Sequence, residues 1–528
     1  VTEIADNYDV VIIGAGHNGL TAGTYLQRAG YKVLVTDRLA TPGGLSQASN
    51  VIPGAPNHMA HTATGELIHV RASPVLRELD LAGHGLKMVD TDPSYAYLDP
   101  EGGSIAIFRD PKRTAEDIAR FSHADAKAYL DFIELIDALM AFGGAMGKGD
   151  PGIPSLGRLV DIAKVAIRNR RLKSKLVLIT SASVEQLAFE LFEHPATQSF
   201  MLNLGGMPGP FDLDGNGIGY GLLGLLHRVG VGKPVGGMQA VADAFAGAYA
   251  ASGGDLLLNT HIKEVVIEGG AMCGVVLPDG RKIAARAVIS TQDPKTAAAM
   301  IGPGGMDRVT RARMQYAPSN QQNVGPSLIN VASGAPFVLK RHQDLRHDGA
   351  DLNQATCLIG TAQESQRALI AARRGMVPAD PVFAVSPMTN WDASLAPPGQ
   401  GYAYIYLHIF PVDVNEGWDK IKAPAADAIV ARASQYYSGF ESELGRWFET
   451  CPERAARVNI TNGAAGHVDF GAQRTGAKRP AYGLGGPAPL APGFFLGGAA
   501  IHPGPGVSGN AGRLVAGRVQ NWLKGKSR

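Results

Sequence analysis

An α/β fold that opens with a parallel βαβ unit is predicted by three features near the start of the chain. Residues 10–13 form an apolar run long enough for a buried strand, and Gly14, Gly16 and Gly19 follow at G-x-G-x-x-G spacing. Residues 32–36 read as a second strand that ends in Asp37. Between the strands, Leu20, Tyr25, Leu26 and Ala29 share one face of a helix that Gly30 can stop.

Each glycine has a physical task. The first permits the tight turn, the second lets a pyrophosphate approach the backbone, and the third lets helix and strand pack closely. The free N–H groups of the helix start, around His17 and Asn18, are then placed to hold phosphate oxygens. Asp37 is placed to accept hydrogen bonds from ribose hydroxyls, with Arg38 beside it, and an acid there argues against a 2′-phosphate.

Composition narrows the class. The 528 residues are 45% hydrophobic and 18% charged, which is the balance of a folded chain of two or three cores. A formal charge of +2 gives no reason to expect nucleic acid. Cys273, Cys357 and Cys451 lie far apart, so a disulfide framework, a zinc site and a dithiol mechanism all lack support, and a reducing cytoplasm is expected. No apolar run reaches the ~18 residues of a membrane span. The opening VTEIADN lacks the basic-then-apolar order of a signal peptide.

After Asp37 a second turn contains Gly43 and Gly44, followed by Leu45, which can bring backbone close to the far end of a dinucleotide. His58 and His61 sit in a polar loop, PNHMAHTAT, without a third partner that would make a metal site. Strand-like pieces between residues 79 and 109 precede a helical stretch at 114–146. Residues 158–175 are predicted as a basic amphipathic helix, with seven Lys or Arg against the single acid Asp161, suited to the surface of an anionic bilayer or to plain solvent. The glycine-rich run 205–224 is expected to be irregular, and Tyr220 and His227 at its apolar end are candidate cavity residues with a catalytic role. Residues 233–294 read as a helix from about Gly237, two strands joined at Pro278-Asp279-Gly280, and a strand ending at Ser290. Helical pieces at 364–374 and 425–437 flank a strand at 402–410. Near the end, a strand at 494–496 runs through Gly497 and Gly498 toward a helix from about Ser508, whose N–H groups can favour negative charge.

The order G-x-G-x-x-G, acid, then Gly43-Gly44 resembles the FAD-binding start of the flavoprotein amine oxidase and phytoene desaturase family. That family usually has Glu where this chain has Asp37, and often an Arg where it has Thr41 and Pro42. Residues 233–294 are similar to the family's second FAD segment, which makes Ile262 the adenine contact by resemblance. The segments 390–401 and 467–471 and the pair Arg479-Pro480 resemble the pyridine nucleotide-disulphide oxidoreductase domain-containing branch. Gly498, His502, Pro503, Gly504, Gly506 and Val507 keep the spacing of the family's C-terminal flavin motif, with Pro505 in place of a usual glycine.

The resemblance implies a glutathione-reductase-type, Rossmann-like FAD domain from residues 1–75, 230–300 and 476–528, interrupted by a mixed α/β substrate domain from 76–229 and 301–475. It further implies FAD as cofactor and hydride transfer between flavin N5 and an apolar polyene, acyl or isoprenoid-like substrate, with C–C desaturation as the leading reaction. Proton transfer by His502 and loop bracing by His502 are both open. Oxygen, a quinone or a soluble carrier is the expected electron acceptor, and peripheral contact with a membrane is one expectation for the basic helix. Alcohol or amine oxidation, double-bond saturation or isomerisation, and non-catalytic lipid carriage of the GDP-dissociation-inhibitor type are the alternatives.

Overall fold

The computed structural model describes residues 4–147, 149–153, 155–302 and 304–525, so the outer ends of the expected cofactor-binding segments, 1–3 and 526–528, lie outside the described residues. The strand Asn7–Ile13 sits inside a seven-stranded sheet with Val33–Thr36 on one side and Lys282–Ser290 on the other, both parallel to it. Val10, Val11 and Ile12 are fully buried, as a strand covered on both faces requires. Asp255–Leu257 extends the sheet beyond Val33–Thr36, and Phe494–Leu496 runs parallel to Lys282–Ser290. Three stretches separated by hundreds of residues thus supply one sheet. The hairpin Glu264–Glu268 and Ala271–Val276 closes its edge antiparallel.

Two helices define the open end of this sheet. His17–Arg28 packs on Asn510–Leu523, where a Cβ at Gly512 would stand 2.1 Å from the Asn18 carbonyl oxygen. Helix Gly237–Ala251 lies against the same sheet, and its Tyr249 hydroxyl donates to the carbonyls of Val33 at 2.9 Å and Asp255 at 3.0 Å, tying two parallel strands together.

A second seven-stranded sheet is built from residues of the two intervening regions. Its order is Glu443–Glu449, Val324–Ser333, Gly401–Pro411, Phe383–Pro387, Thr356–Ile359, Tyr95–Leu98, Ser104–Ile107, antiparallel throughout except between Thr356–Ile359 and Tyr95–Leu98. Helix Trp418–Ala433 packs on the face that carries Ile329, Val331 and Phe383, whereas helices His123–Gly147, Pro195–Gly205 and Ala362–Arg373 pack on the other face, at Tyr97, Leu358 and Ala384.

Several helices differ from their sequence expectations. The stretch 114–146 splits into Pro111–Ala119 and His123–Gly147, because the Ser122 hydroxyl accepts the Asp125 N–H at 3.1 Å and restarts the helix. The basic stretch is Leu156–Arg168, a 3₁₀ turn at Arg170–Leu172, and Lys173–Ser181. The helix expected at 425–437 runs Trp418–Ala433, with Pro424 inside its second turn, while Tyr437–Ser438 is a short strand. Within 205–224 the chain already turns helical, as a 3₁₀ segment at Asn216–Tyr220 and an α-helix from Gly221.

Candidate functional site

One cavity of about 1560 Å³ runs from the glycine turn of the first sheet, across the second sheet, to the basic helices. Ordinary small-ligand pockets span ~300–1,000 Å³, so this volume accommodates a dinucleotide and a second molecule together.

At the nucleotide end, Gly14 has φ +110°, and a Cβ at Gly19 would stand 1.9 Å from the Gly14 carbonyl oxygen. Only glycine fits at either position. The first helix starts at Gly16 with no side-chain cap, which leaves its first N–H groups open to the cavity. Asp37 accepts from the Ala15 N–H at 2.7 Å through one oxygen and from the Leu39 N–H at 2.9 Å through the other. Burial raises its pKa, and those two N–H groups oppose the rise. The Gly43 N–H donates to the Ala15 carbonyl at 2.9 Å, so the second glycine turn is pinned to the first.

The C-terminal segment closes over this turn. The last helix, Asn510–Leu523, begins after Gly509 at φ +71°, and side chains already take two of its first N–H groups: Asn510 donates to Ser508 Oγ at 3.2 Å and Gly512 to Asn18 Oδ1 at 3.2 Å. Arg479 is 1% exposed and donates to the carbonyls of Gly466 at 2.6 Å, Ala499 at 2.9 Å and Val468 at 3.0 Å, binding the 466–468 loop to the 498–508 loop. Burial lowers its pKa to about 10, so it stays a cation at neutral pH. The uncapped start of the first helix and a cradle that admits no Cβ fit the phosphates of a dinucleotide.

The second sheet supplies the wall opposite. Tyr95, Thr356, Ser386 and Tyr404 lie in one row across four strands, each lining the cavity. Beside this row is Glu66, which accepts from the Tyr95 hydroxyl at 2.5 Å, from Thr356 Oγ1 and from Lys233 Nζ. Lys233 is fully buried and its ammonium also sits 4.2 Å above the Trp391 ring. Along Gly401–Pro411 the rings of Tyr404, Tyr406 and His408 stack at successive 6.4 Å steps. Farther out the lining is apolar, with Leu139, Met140, Phe142, Met207, Leu222 and Leu225.

The residues singled out by sequence distribute as follows. Gly14, Gly16, His17, Asn18, Gly19, Asp37, Arg38, Gly43, Gly44, Leu45, Ile262, Gly498, Gly506, Val507 and His502 all line the cavity. Gly497 is outside the lining; its N–H donates to the Ser290 carbonyl at 2.7 Å and it packs on Ile289. Tyr220 and His227 are corrections. The Tyr220 ring packs edge-on to Phe132 at 5.0 Å inside the helical core, with its hydroxyl on the Val184 carbonyl. His227 spends both ring nitrogens on the Tyr129 hydroxyl at 2.6 Å and the Phe108 carbonyl at 2.8 Å. His58 and His61 are buried outside the lining. His502 is held neutral, with a pKa pushed down to about 4 by burial, and its Nδ1 has no partner.

Glu66, Lys233, Arg454 and the Tyr404–Tyr406–His408 ladder were not singled out from sequence. The ladder had a signal, since YAYIYLHIF places its aromatic residues at every second position, on one face of a strand.

This fold and site define an FAD-dependent oxidoreductase, with the sheet that carries the glycine turn on one side of a large cavity and a mostly antiparallel sheet on the other. The chain belongs to the flavin containing amine oxidoreductase family, whose model matches residues 19–325. It is 26% identical to pyridine nucleotide-disulfide oxidoreductase domain-containing protein 2 of Mus musculus, over 98% of this chain and 94% of that protein. It is 30% identical to the neurosporene-forming phytoene desaturase of Rhodobacter capsulatus, over 54% of this chain and 52% of the desaturase. Cyclohexylamine oxidase from Brevibacterium oxydans shares the fold at a TM-score of 0.58 and 15% identity, covering 98% of this chain and 99% of the oxidase. Among the described residues, no helix is long and apolar enough to cross a membrane.

Proposed function

We propose that this protein desaturates a C–C bond of an apolar, polyene or acyl substrate. The observation that carries the reading is the continuity of one cavity from the glycine cradle, past the polar row beside Glu66, to an apolar stretch lined by Leu139, Phe142, Leu222 and Leu225. The sequence similarity to a phytoene desaturase supports it.

The residues assign themselves to parts of the cofactor by chemistry. Asp37 takes the ribose hydroxyls, the first helix start and Gly14 to Gly19 take the pyrophosphate, and Ile262 packs on the adenine. Gly498, Gly506 and Val507, with the start of the last helix, hold the ring system. FAD, when bound there, supplies the two-electron acceptor for a hydride from substrate carbon. The proton that leaves the neighbouring carbon is taken by the Glu66 carboxylate, which Tyr95, Thr356 and Lys233 fix in place.

Substrate reaches the cavity from a membrane surface. Leu156, Leu159, Ile167 and Val177 are 80%, 55%, 66% and 60% exposed on the basic helices, interleaved with Arg158, Lys164, Arg168 and Lys175. Arg170, Lys173 and Val177 of the same unit line the cavity.

Amine or alcohol oxidation is the second reading, favoured by the polar row beside Glu66. Incubating the holoenzyme with polyenes, acyl compounds, alcohols and amines under a supplied electron acceptor, followed by mass spectrometry, separates the two. Desaturation gives a product lighter by two hydrogens with a new C=C bond; an aldehyde, ketone or imine alone would replace it with the second reading.

A further inference from the structure

Behind the cavity wall at Arg454, one buried cluster holds more positive than negative charge. Glu449 pairs with two arginines, Arg454 at 3.1 Å and Arg457 at 2.6 Å, and is itself 1% exposed. Among the described residues it is the one carboxylate that pairs with either arginine. Close by, Lys233 is matched by Glu66. The Lys233–Glu66 pair is balanced, while the cluster of Glu449, Arg454 and Arg457 carries one positive charge in surplus, and Arg454 is its member that lines the cavity. Arg454, 2% exposed, gives Nη1 to the carbonyls of Pro326 and Gly463 and lines the cavity.

The strand registers place this charge beside the aromatic ladder. Glu449 pairs with Leu328, Leu328 with Tyr406, and Tyr406 with Ala384, so Glu449 and Tyr406 lie in one row on one face, two strands apart. At ~4.8 Å per strand that separation is within reach of an arginine side chain laid across the sheet. Along the ladder from Tyr406, His408 is 2% exposed, lines the cavity, and has no hydrogen-bond partner on either ring nitrogen. Arg457 Nη1 is buried and unpartnered as well. Buried polar groups are ordinarily paired, and an unmatched buried cation is costlier than an unmatched neutral group.

We propose that Arg454, Tyr406 and His408 form a carboxylate site, so that the substrate of this cavity is a long-chain or polyene acid rather than a hydrocarbon. The surplus of one positive charge matches a monoanion, and a planar guanidinium suits a planar carboxylate. His408, neutral because burial holds its pKa near 4, donates one N–H, and the Tyr406 hydroxyl donates another. This inference rests on the reading of the cavity as the substrate site.

The test is a titration of the oxidised holoenzyme with decanoate, 1-decanol and decylamine, followed through the flavin difference spectrum. Decanoate is expected to bind about tenfold or more tighter than decanol, with decylamine weakest. Arg454→Met removes that preference, and His408→Leu, which breaks no hydrogen bond within the protein, reduces it severalfold should the arginine variant not retain FAD. Equal binding of acid and alcohol overturns the carboxylate site and leaves the apolar cavity standing. A spectrum unmoved by all three overturns both.

Discussion

The carboxylate of Asp37 accepts the backbone N–H of Ala15 at 2.7 Å, so the acid that ends the second strand is bonded into the glycine turn that follows the first. One oxygen thus orders the phosphate cradle while the carboxylate lines the cavity. Asp37→Ala is expected to weaken FAD retention by roughly 10- to 100-fold, the worth of charged hydrogen bonds of about 1.5–3 kcal/mol. Equilibrium dialysis against FAD measures it, and unchanged affinity would remove Asp37 from the site.

Gly19→Ala puts a methyl group 1.9 Å from the Gly14 carbonyl oxygen, a contact that only backbone movement can relieve. The variant should be recovered without flavin, or with the turn displaced and melting well below the parent. Wild-type flavin content and thermal midpoint would contradict the close packing of helix and strand.

Glu66→Gln keeps the acceptor geometry for Tyr95 but removes the base. Rapid mixing with substrate should show flavin reduction slowed by roughly 10²-fold, the common worth of a positioned base. The FAD spectrum should persist. An unchanged rate assigns the proton elsewhere.

His61 is fully buried, neither ring nitrogen has a partner, and burial, reinforced by Lys233, pushes its pKa down to about 3 from 6.5. The unfolded chain therefore takes up this proton first. Stability is complete above pH 6.5 and falls as the pH drops toward 3, by ~2 kcal/mol at pH 5 from this residue. Denaturant titrations at pH 7.5 and pH 5 should show that extra loss in the wild type and not in His61→Phe. Equal losses would mean that His61 is hydrated or paired in solution.

Replacing Arg158, Lys164, Arg168 and Lys175 by Glu reverses the charge of the exposed helices at the cavity mouth. Flotation with phosphatidylserine-containing vesicles should fall to the level seen with pure phosphatidylcholine, with the flavin spectrum intact. Undiminished flotation would dissociate these helices from the membrane.

Local pattern made the nucleotide sheet legible and left the opposite wall obscure. The glycine spacing, Asp37 and the C-terminal loop are each set by contacts with neighbouring backbone, so short motifs report them. Glu66 and Lys233 are 167 residues apart, and they meet through the antiparallel bridge of Leu67 to Gly232, a long-range contact that no local pattern reports. Tyr220 looked suitable because it adjoins a glycine run, but the 3₁₀ segment Asn216–Tyr220 turns its ring onto Phe132. Parity along Gly401–Pro411 would have found Tyr404, Tyr406 and His408, had the strand been assigned an inward face.

The most direct test of hydride transfer from an apolar carbon chain is anaerobic titration of the purified flavoprotein, observed in the visible spectrum. Bleaching by a polyene or acyl substrate, stoichiometric with flavin and absent with simple amines, is the result expected. Bleaching by amines alone would contradict desaturation, and flavin that neither bleaches with any substrate nor, once chemically reduced, is reoxidised by any unsaturated one would contradict redox chemistry in this cavity.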